Sequence, residues 1–448
     1  MLESIEALRR SIGGRVIAAG DADYDAASRT PLAAAEPAVV VQAGGADDVR
    51  TAVAFAATSG MPLAVRGGGH SFAGFGTLDG GIVLDLAALS GVELLGGDRV
   101  RVGGGARWGA VCAALAPHGL VISSGDTASV GVGGLTLSGG IGWMVRSQGL
   151  ALDSLAAVEL VTAAGEFVVA DRERNADLFW AVRGGGGNFG VVTAFEFEAH
   201  PGGELTFGRI TFPAAEAGRI LPAWAEYVHG APDELSSVAK LANPFAGGRE
   251  APVEIVVAVD GDDDAARRVI DPIRRLGTVL GDDVARRAYA DVLEPGGALP
   301  PGFGLSVRDA FVPAPSLREA MATLAEIAGE EQPAVISVHA LGGAMGRVPS
   351  EETAFAHRDA AAMITTFAGG PQPALAAAAP AITRTWDRLA PHVSGAYANF
   401  LATASADDVA AVYPEETARR LGALKAEYDP HNVFARNHNI APELQPAR

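Results

Sequence analysis

The sequence predicts an α+β fold in two parts: a glycine-rich first part of short strands and helices, then an antiparallel sheet covered by helices. Three observations predict it. Glycine supplies 57 of 448 residues, against an ordinary share of roughly 7%, and its tight clusters fall between Gly67 and Gly190. Short β-rich runs lie between those clusters. After Pro201-Gly202-Gly203 the clusters stop, and longer helical patterns alternate with strands, so a domain boundary is placed near residue 205. The chain is 49% hydrophobic and only 19% charged, which excludes a disordered polypeptide. The glycines follow no G-X-Y period, which excludes collagen.

The elements follow in order. Met1–Arg10 reads as a short helix; it has no basic stretch followed by an apolar one and so does not read as a signal peptide. Asp47–Ser59 has an acidic start, Val49, Val53 and Ala56 on one face, and Gly60 as its stop, which predicts a helix. Pro62–Arg66, Ile82–Leu86, Arg99–Val102, Leu155–Thr162, Phe167–Ala170 and Val191–Phe197 read as strands. Trp108–Leu115 and Ala176–Val182 read as short helices. The stretch Gly125–Gly142 is too glycine-rich for a core strand or a stable helix, since each Gly costs up to ~1 kcal/mol in a helix. It makes sense where backbone approaches a flat or charged ligand closely. In the second part, Pro213–Val228, Asp263–Leu276, Pro315–Ala328 and Pro371–Leu389 read as helices, most of them opening on Pro or Asp. Val253–Val259, Ser306–Val312 and Ala334–Leu341 read as strands. The helix Pro414–Tyr428 is stopped by Asp429-Pro430, and a polar tail, Asn432–Ile440, follows.

Composition narrows the chemistry. Acidic residues outnumber basic ones 53 to 34, a net charge of −19, which disfavours nucleic acid and anionic membranes as partners. No uncharged apolar run of ~18 residues is free of glycine clusters, so no membrane helix is expected, and a cytoplasmic location is the expectation. One cysteine, Cys112, rules out an intrachain disulfide and a thiolate zinc cage. It lies in a helical pattern as a buried thiol, and no metal site is expected. Neither lysine follows a glycine, so a Walker A loop is absent, and neither sits in a context suited to a pyridoxal Schiff base. The G-x-G-x-x-G at Gly185–Gly190 follows a helix and enters a strand, the reverse of the dinucleotide fingerprint. Arg66-Gly-Gly-Gly-His-Ser71 follows a strand directly. Three residues without Cβ let successive N–H groups turn to one anion such as a pyrophosphate; the plainer alternative is a tight surface turn with a solvated His70.

Four ordered motifs together resemble the covalent-flavin oxidases of the berberine bridge enzyme type, in the vanillyl-alcohol oxidase superfamily with its PCMH-type FAD-binding fold. Arg66–Ser71 resembles the family's flavin attachment loop. Val130-Gly-Val-Gly-Gly134 with Ser138-Gly-Gly-Ile-Gly142 resembles its second flavin loop. Asp177–Thr193 resembles a third element, and Tyr428–Phe434 with Asn437–Ile440 the C-terminal flavin signature. The resemblance implies a two-part FAD-binding domain, residues 1–205 with 402–448 returning to it, and a substrate-binding domain, 206–401. It implies FAD contacts from Arg66, Gly67, Gly68, Gly69, His70 and Ser71; from Gly125, Thr127, Val130, Gly131, Gly133, Gly134, Ser138, Gly140 and Gly142; and from Val192, Asn437 and Asn439. His70 would be joined through its imidazole to the flavin 8α-methyl carbon.

Departures from the family pattern sharpen this. Many relatives carry a second covalent link from a Cys at the position of Thr127; with Cys112 fifteen residues upstream, a single link at His70 is expected. The family's His-Arg pair is matched by His357-Arg358, but Met363–Phe367 lacks the carboxylate that several members place there. Leu341-Gly-Gly stands where Tyr-Gly-Gly is frequent. The remaining catalytic candidates are Tyr397 and Asn399 in the Tyr-x-Asn segment, then His339 and His438. A phenol of pKa ~10 serves as a base only if its neighbours lower it. The resemblance implies an FAD-dependent oxidase that takes hydride from a small organic molecule and passes electrons to O2, giving H2O2. Leu341 and Thr366 suggest an apolar secondary metabolite as substrate. An oxygenase working through a flavin–oxygen adduct and a flavin-binding protein without turnover are the alternatives. A homodimer is compatible with the sequence.

Overall fold

The computed structural model describes residues 2–241, 252–330 and 333–443, so residues 444–448 of the expected returning tail lie outside it. Two small sheets build the first part. Arg15–Ala18, Val39–Gln42, Ile82–Asp85 and Leu63–Arg66 form a four-stranded sheet, with Ile82–Asp85 parallel to both Val39–Gln42 and Leu63–Arg66. The helix Ala46–Ser59 buries Val49, Val53 and Ala56 against it. The second sheet is antiparallel, in the order Val92–Gly96, Arg99–Gly103, Val191–Glu198, Leu155–Val161, Phe167–Asp171. Its core packs Trp108, Phe195 and Phe197 with the helix Ala176–Val182.

The second part is one large antiparallel sheet of eight strands, from Glu204–Phe212 to Ala360–Pro371. The helices Ala217–His229, Leu317–Ala328 and Gln372–Leu389 cover one face, burying Trp224, Met321 and Trp386. Two of its strands, Glu204–Phe212 and Leu235–Leu241, go unnoticed in the sequence, because Gly208, Ser236 and Ser237 interrupt the β-rich pattern. Helix ends shift by a few residues. Ala217–His229 begins after a 3₁₀ turn, Ala214–Glu216, and Asp263–Arg274 stops short of Leu276.

One expectation is overturned. Val132–Leu137, read as too glycine-rich for a helix, is a six-residue helix. Val132 and Leu137 anchor it in the core, and that burial offsets the helix cost of Gly133 and Gly134.

The C-terminal segment is latched to the glycine-rich part by a buried lysine. Lys425, on the helix Glu415–Tyr428, is fully buried. It donates to Asp429 Oδ2 at 2.6 Å, to Asn188 O at 2.7 Å and to Phe434 O at 3.1 Å. Asp429 in turn accepts from the N–H groups of Val433 and Phe434. Asn188 bonds His438 O and the N–H of Ile440. Three members of the C-terminal motif are thereby held against the Gly184–Gly190 turn.

Candidate active site

A cleft of about 320 Å³ is lined by residues of both small sheets and their loops and by the segments at 397–400 and 434–438. Its walls come from all four motifs. Arg66–Ser71 line it, as do Gly125, Thr127, Val130, Gly131, Gly133, Gly134, Ser138, Val192 and Asn437, together with Tyr397 and Asn399. Four expected residues stand elsewhere. Gly140 is behind the wall, its N–H bonded to Tyr397. Gly142 and His339 border a second, smaller cavity. Asn439 is not on the cleft; its neighbour His438 is.

The glycines have two distinct jobs. At Gly68 an added Cβ would lie 2.2 Å from Gly131 N, and one at Gly131 would lie 2.3 Å from Gly68 N. The first and second loops therefore touch backbone to backbone, and any side chain there would push them apart. Gly134 and Gly187 differ: a Cβ would meet nothing within 4 Å, because both face the cleft. Here bare backbone is offered to whatever fills it.

Arg66 has a role the motif did not suggest. Its guanidinium is buried, paired to Asp85 at 2.8 Å and bonded to the carbonyls of Ala27 and Arg29. It braces the loop, and the loop backbone lines the cleft. His70 is half-buried there, and burial, followed by the nearby Arg107 charge, lowers its pKa. Its Nε2 is enclosed without a hydrogen-bond partner. Asn437 Oδ1, also on the cleft, is likewise enclosed and unpartnered. Orphaned polar atoms of this kind are rare in a finished fold. With glycine faces open to the cleft, they fit a large planar group bearing hydrogen-bonding edges and phosphates. Cys112 lies away from the cleft, its thiol pushed up to about 12 by burial.

Tyr397 stands at the cleft's edge with an unusual set of partners. Its phenol oxygen receives three N–H donors: Gly140 N at 2.8 Å, Ile141 N at 3.2 Å and Asn399 Nδ2 at 2.9 Å. Asn399 is itself held by Leu135 O. Burial raises the phenol's pKa, and the three donors pull it back by stabilising the anion.

The large sheet carries two registered rows of side chains, and Val238 and His339 of the first border the small cavity beside the cleft. One row is Val238, His339, Met363 and Phe311; the next is Lys240, Ser337, Thr365 and Asp309. Burial lowers the His339 pKa to about 4, leaving a neutral imidazole. Asp309 donates nothing to the cleft; its Oδ1 accepts the N–H of Tyr397 at 2.6 Å, and burial holds its carboxyl well above the usual range. Phe72 stacks on Phe400 at 5.9 Å and meets Phe367 edge-on at 6.1 Å.

The basis for expecting an apolar substrate is corrected. Thr366 points away from the cleft, accepting the Trp386 indole N–H under the helices, and Leu341 is buried in the core. Strand alternation decides this: Met363, Thr365 and Phe367 share the other face. The His-Arg pair is structural. Arg358 holds Asp153 through two 2.8 Å bonds, and His357 bonds the carbonyls of Ala411 and Val412.

One functional candidate escaped the sequence. Asp126 borders both the cleft and the small cavity, and it is the only carboxylate on either wall among the described residues. Nothing in its neighbourhood in the chain sets it apart from a turn aspartate. The described residues contain no cluster able to hold a metal, and no helix among them is long and apolar enough to cross a membrane.

Comparisons with known proteins agree with this geometry. A family profile described as FAD binding domain matches residues 37–171, and one described as Berberine and berberine like matches residues 396–441. The chain is 32% identical to the (R)-6-hydroxynicotine oxidase of Paenarthrobacter nicotinovorans, covering 97% of this chain and 98% of that protein. It is 36% identical to the glucooligosaccharide oxidase of Sarocladium strictum over 38% of this chain and 35% of that one. Among solved structures, 6-hydroxy-D-nicotine oxidase from Arthrobacter nicotinovorans superposes with a TM-score of 0.86 at 30% identity, covering 97% of this chain and 99% of the other. The glucooligosaccharide oxidase from Acremonium strictum, which carries a 6-S-cysteinyl, 8α-N1-histidyl FAD, shares the fold with a TM-score of 0.85 at 22% identity, over 99% of this chain and all of that one.

Proposed function

Because the chain belongs to the berberine bridge enzyme-like family of FAD-linked oxidoreductases, we propose that it is an oxidase that takes hydride from a small organic molecule and delivers electrons to O2 as H2O2. FAD, when bound, supplies a ring that accepts the hydride and can pass electrons to dioxygen. We assign its binding to residues 1–205 with the returning segment from 402, and substrate binding to 206–401.

The chain's own residues supply position, water exclusion and proton handling. The loops at 66–71 and 130–134 cradle the phosphates and ring with backbone N–H groups. His70, neutral at pH 7 by virtue of its lowered pKa, has a free ring nitrogen to carry a single covalent link. Thr127, hydrogen-bonded to Asp126, replaces the sulfur of a second link. Phe72 and Phe400, on the cleft wall, would keep water from the reacting carbon.

The observation that carries the reading is the convergence of three N–H donors on the Tyr397 oxygen at the cleft's edge. The donors offset part of the burial that on balance keeps the phenol above its ordinary range, and we assign Tyr397 as the group that takes the proton of the substrate's O–H or N–H. Asn399 orients it, and neutral His339 is the next acceptor inward.

The test is an oxygen-free screen of alcohols, amines and phenols for bleaching of the flavin band, followed by peroxide measurement on readmitting air. Substrate-dependent bleaching with one peroxide per flavin is expected. Bleaching without peroxide would point to an oxygenase, and no bleaching by any class would remove the catalytic reading. Acid precipitation should leave the yellow colour in the pellet; colour that washes out would refute the covalent link.

A further inference from the structure

We propose that Asp126 makes the substrate chamber select a cation: the molecule oxidised bears a protonated amine on a compact aromatic or apolar frame. The proposal builds on the catalytic reading above, because it concerns what the same chamber admits.

Asp126 sits where the cleft meets the small cavity, and Ile141 and Phe400 are the other residues common to both. Its one side-chain hydrogen bond comes from the Thr127 hydroxyl to Oδ1 at 2.9 Å. It has no ion-pair partner among the described residues, and the second carboxylate oxygen carries no bond. Asp126 is half-buried, and the unbonded oxygen is free to accept from a cationic group entering the cleft.

The nearby basic groups do not compensate it. His339, across the small cavity, is kept neutral by burial. Arg66 is committed to Asp85, and Arg436 is exposed at the rim, donating to Thr77 O. Lys240, in the next row of the sheet, acts by charge on His339 but forms no ion pair with Asp126 among the described residues. Among the described residues, Asp126 is the only acidic group on either wall, and it forms no ion pair.

The remaining walls suit the same ligand. Phe72 and Phe400 present aromatic rings, which attract an ammonium as well as packing on an apolar frame. The small cavity, about 20 Å³, has room for one water or one small substituent. Trp143 Nε1, on its wall, is buried with no acceptor, so a donor is offered there beside the Asp126 acceptor.

Three probes of one size and different charge test this on the oxygen-free holoenzyme: benzylamine, benzyl alcohol and benzoate. Binding is read from the shift of the oxidised flavin band immediately after mixing, so no turnover is needed. Benzylamine should bind at least about tenfold more tightly than benzyl alcohol, with benzoate weakest. Asp126→Asn preserves the acceptor for Thr127 and should erase the difference; Asp126→Glu should keep most of it. Equal or tighter binding of benzyl alcohol or benzoate would overturn the proposal. So would unsaturable benzylamine binding, or an Asp126→Asn variant with unchanged preference. If the probes rank by charge while no substrate class bleaches the flavin, cation selection stands and the catalytic reading falls.

Discussion

At Tyr397 a side chain is tuned by opposing terms that only its contacts reveal. Enclosure in the wall raises the phenol's pKa, and N–H groups from Gly140, Ile141 and Asn399 lower it. Removing the hydroxyl should therefore cost chemistry more than binding. Tyr397→Phe is expected to slow flavin reduction roughly 10²–10⁴-fold with substrate affinity little changed, measured by stopped flow without oxygen; a wild-type rate would show that Tyr397 is not the base. The native enzyme should reduce its flavin faster as pH rises toward the phenol's pKa, and the variant should lose that slope. Tyr397, Asn399 and His70 were legible in the sequence because each sits inside a motif of several residues. Asp126 was not, since a lone aspartate after glycine has the pattern of any turn. Arg66 was legible as a loop member but not as a brace, because its partner Asp85 lies 19 residues away.

The glycine loops make their predictions at the level of the element. Gly68→Ala and Gly131→Ala would each force backbone apart where the clearance is 2.2–2.3 Å, so both variants should misfold locally and lose FAD. Gly134→Ala separates fold from binding. It lies in the helix Val132–Leu137 with open space beyond it, so Ala should leave stability equal or better by up to ~1 kcal/mol while its methyl intrudes on the cofactor space. Thermal unfolding of the flavin-free chain beside FAD retention reads the two effects independently; unchanged FAD binding would show that Gly134 does not face the cofactor. The sequence located these clusters and attributed them to approach of a ligand. All four of Gly68, Gly131, Gly134 and Gly187 line the cleft, but Gly68 and Gly131 must also be small because their loops meet each other.

Over the whole molecule, two buried features govern stability. Lys425 joins three parts of the chain at one nitrogen, so Lys425→Met would leave Asp429 buried and unpaired, costing about 3–5 kcal/mol. Denaturant unfolding should show the loss, and FAD should dissociate first if that variant lacks the covalent link. The second feature is a set of histidines held neutral. His339 titrates near 4, and His70, His200, His357 and His438 are also lowered by burial. Unfolded imidazoles bind protons near pH ~6.5, so below that pH the unfolded chain takes up more protons than the folded one. Stability should be full above about pH 6.5 and fall as pH drops toward 4, by about 1.4 kcal/mol per unit at a site like His339. Thermal unfolding across that range should show the slope, and His339→Asn should reduce it.

The sequence by itself determined the class of fold, the order of most elements, the four cofactor motifs and the family resemblance, all of which depend on residues close together in the chain. It also bounded the cysteine chemistry, since one thiol 15 residues from Thr127 cannot replace it without a different backbone path. The tertiary structure decided which face each strand shows to the cleft, and so removed Thr366 and Leu341 from the substrate wall. It also decided which charges are matched: Arg66, Arg358 and Lys425 have charged partners, and Asp126 has none among the described residues. Those outcomes depend on contacts between residues tens or hundreds of positions apart, and on burial, which sets whether a charge is screened, paired or left to attract a ligand.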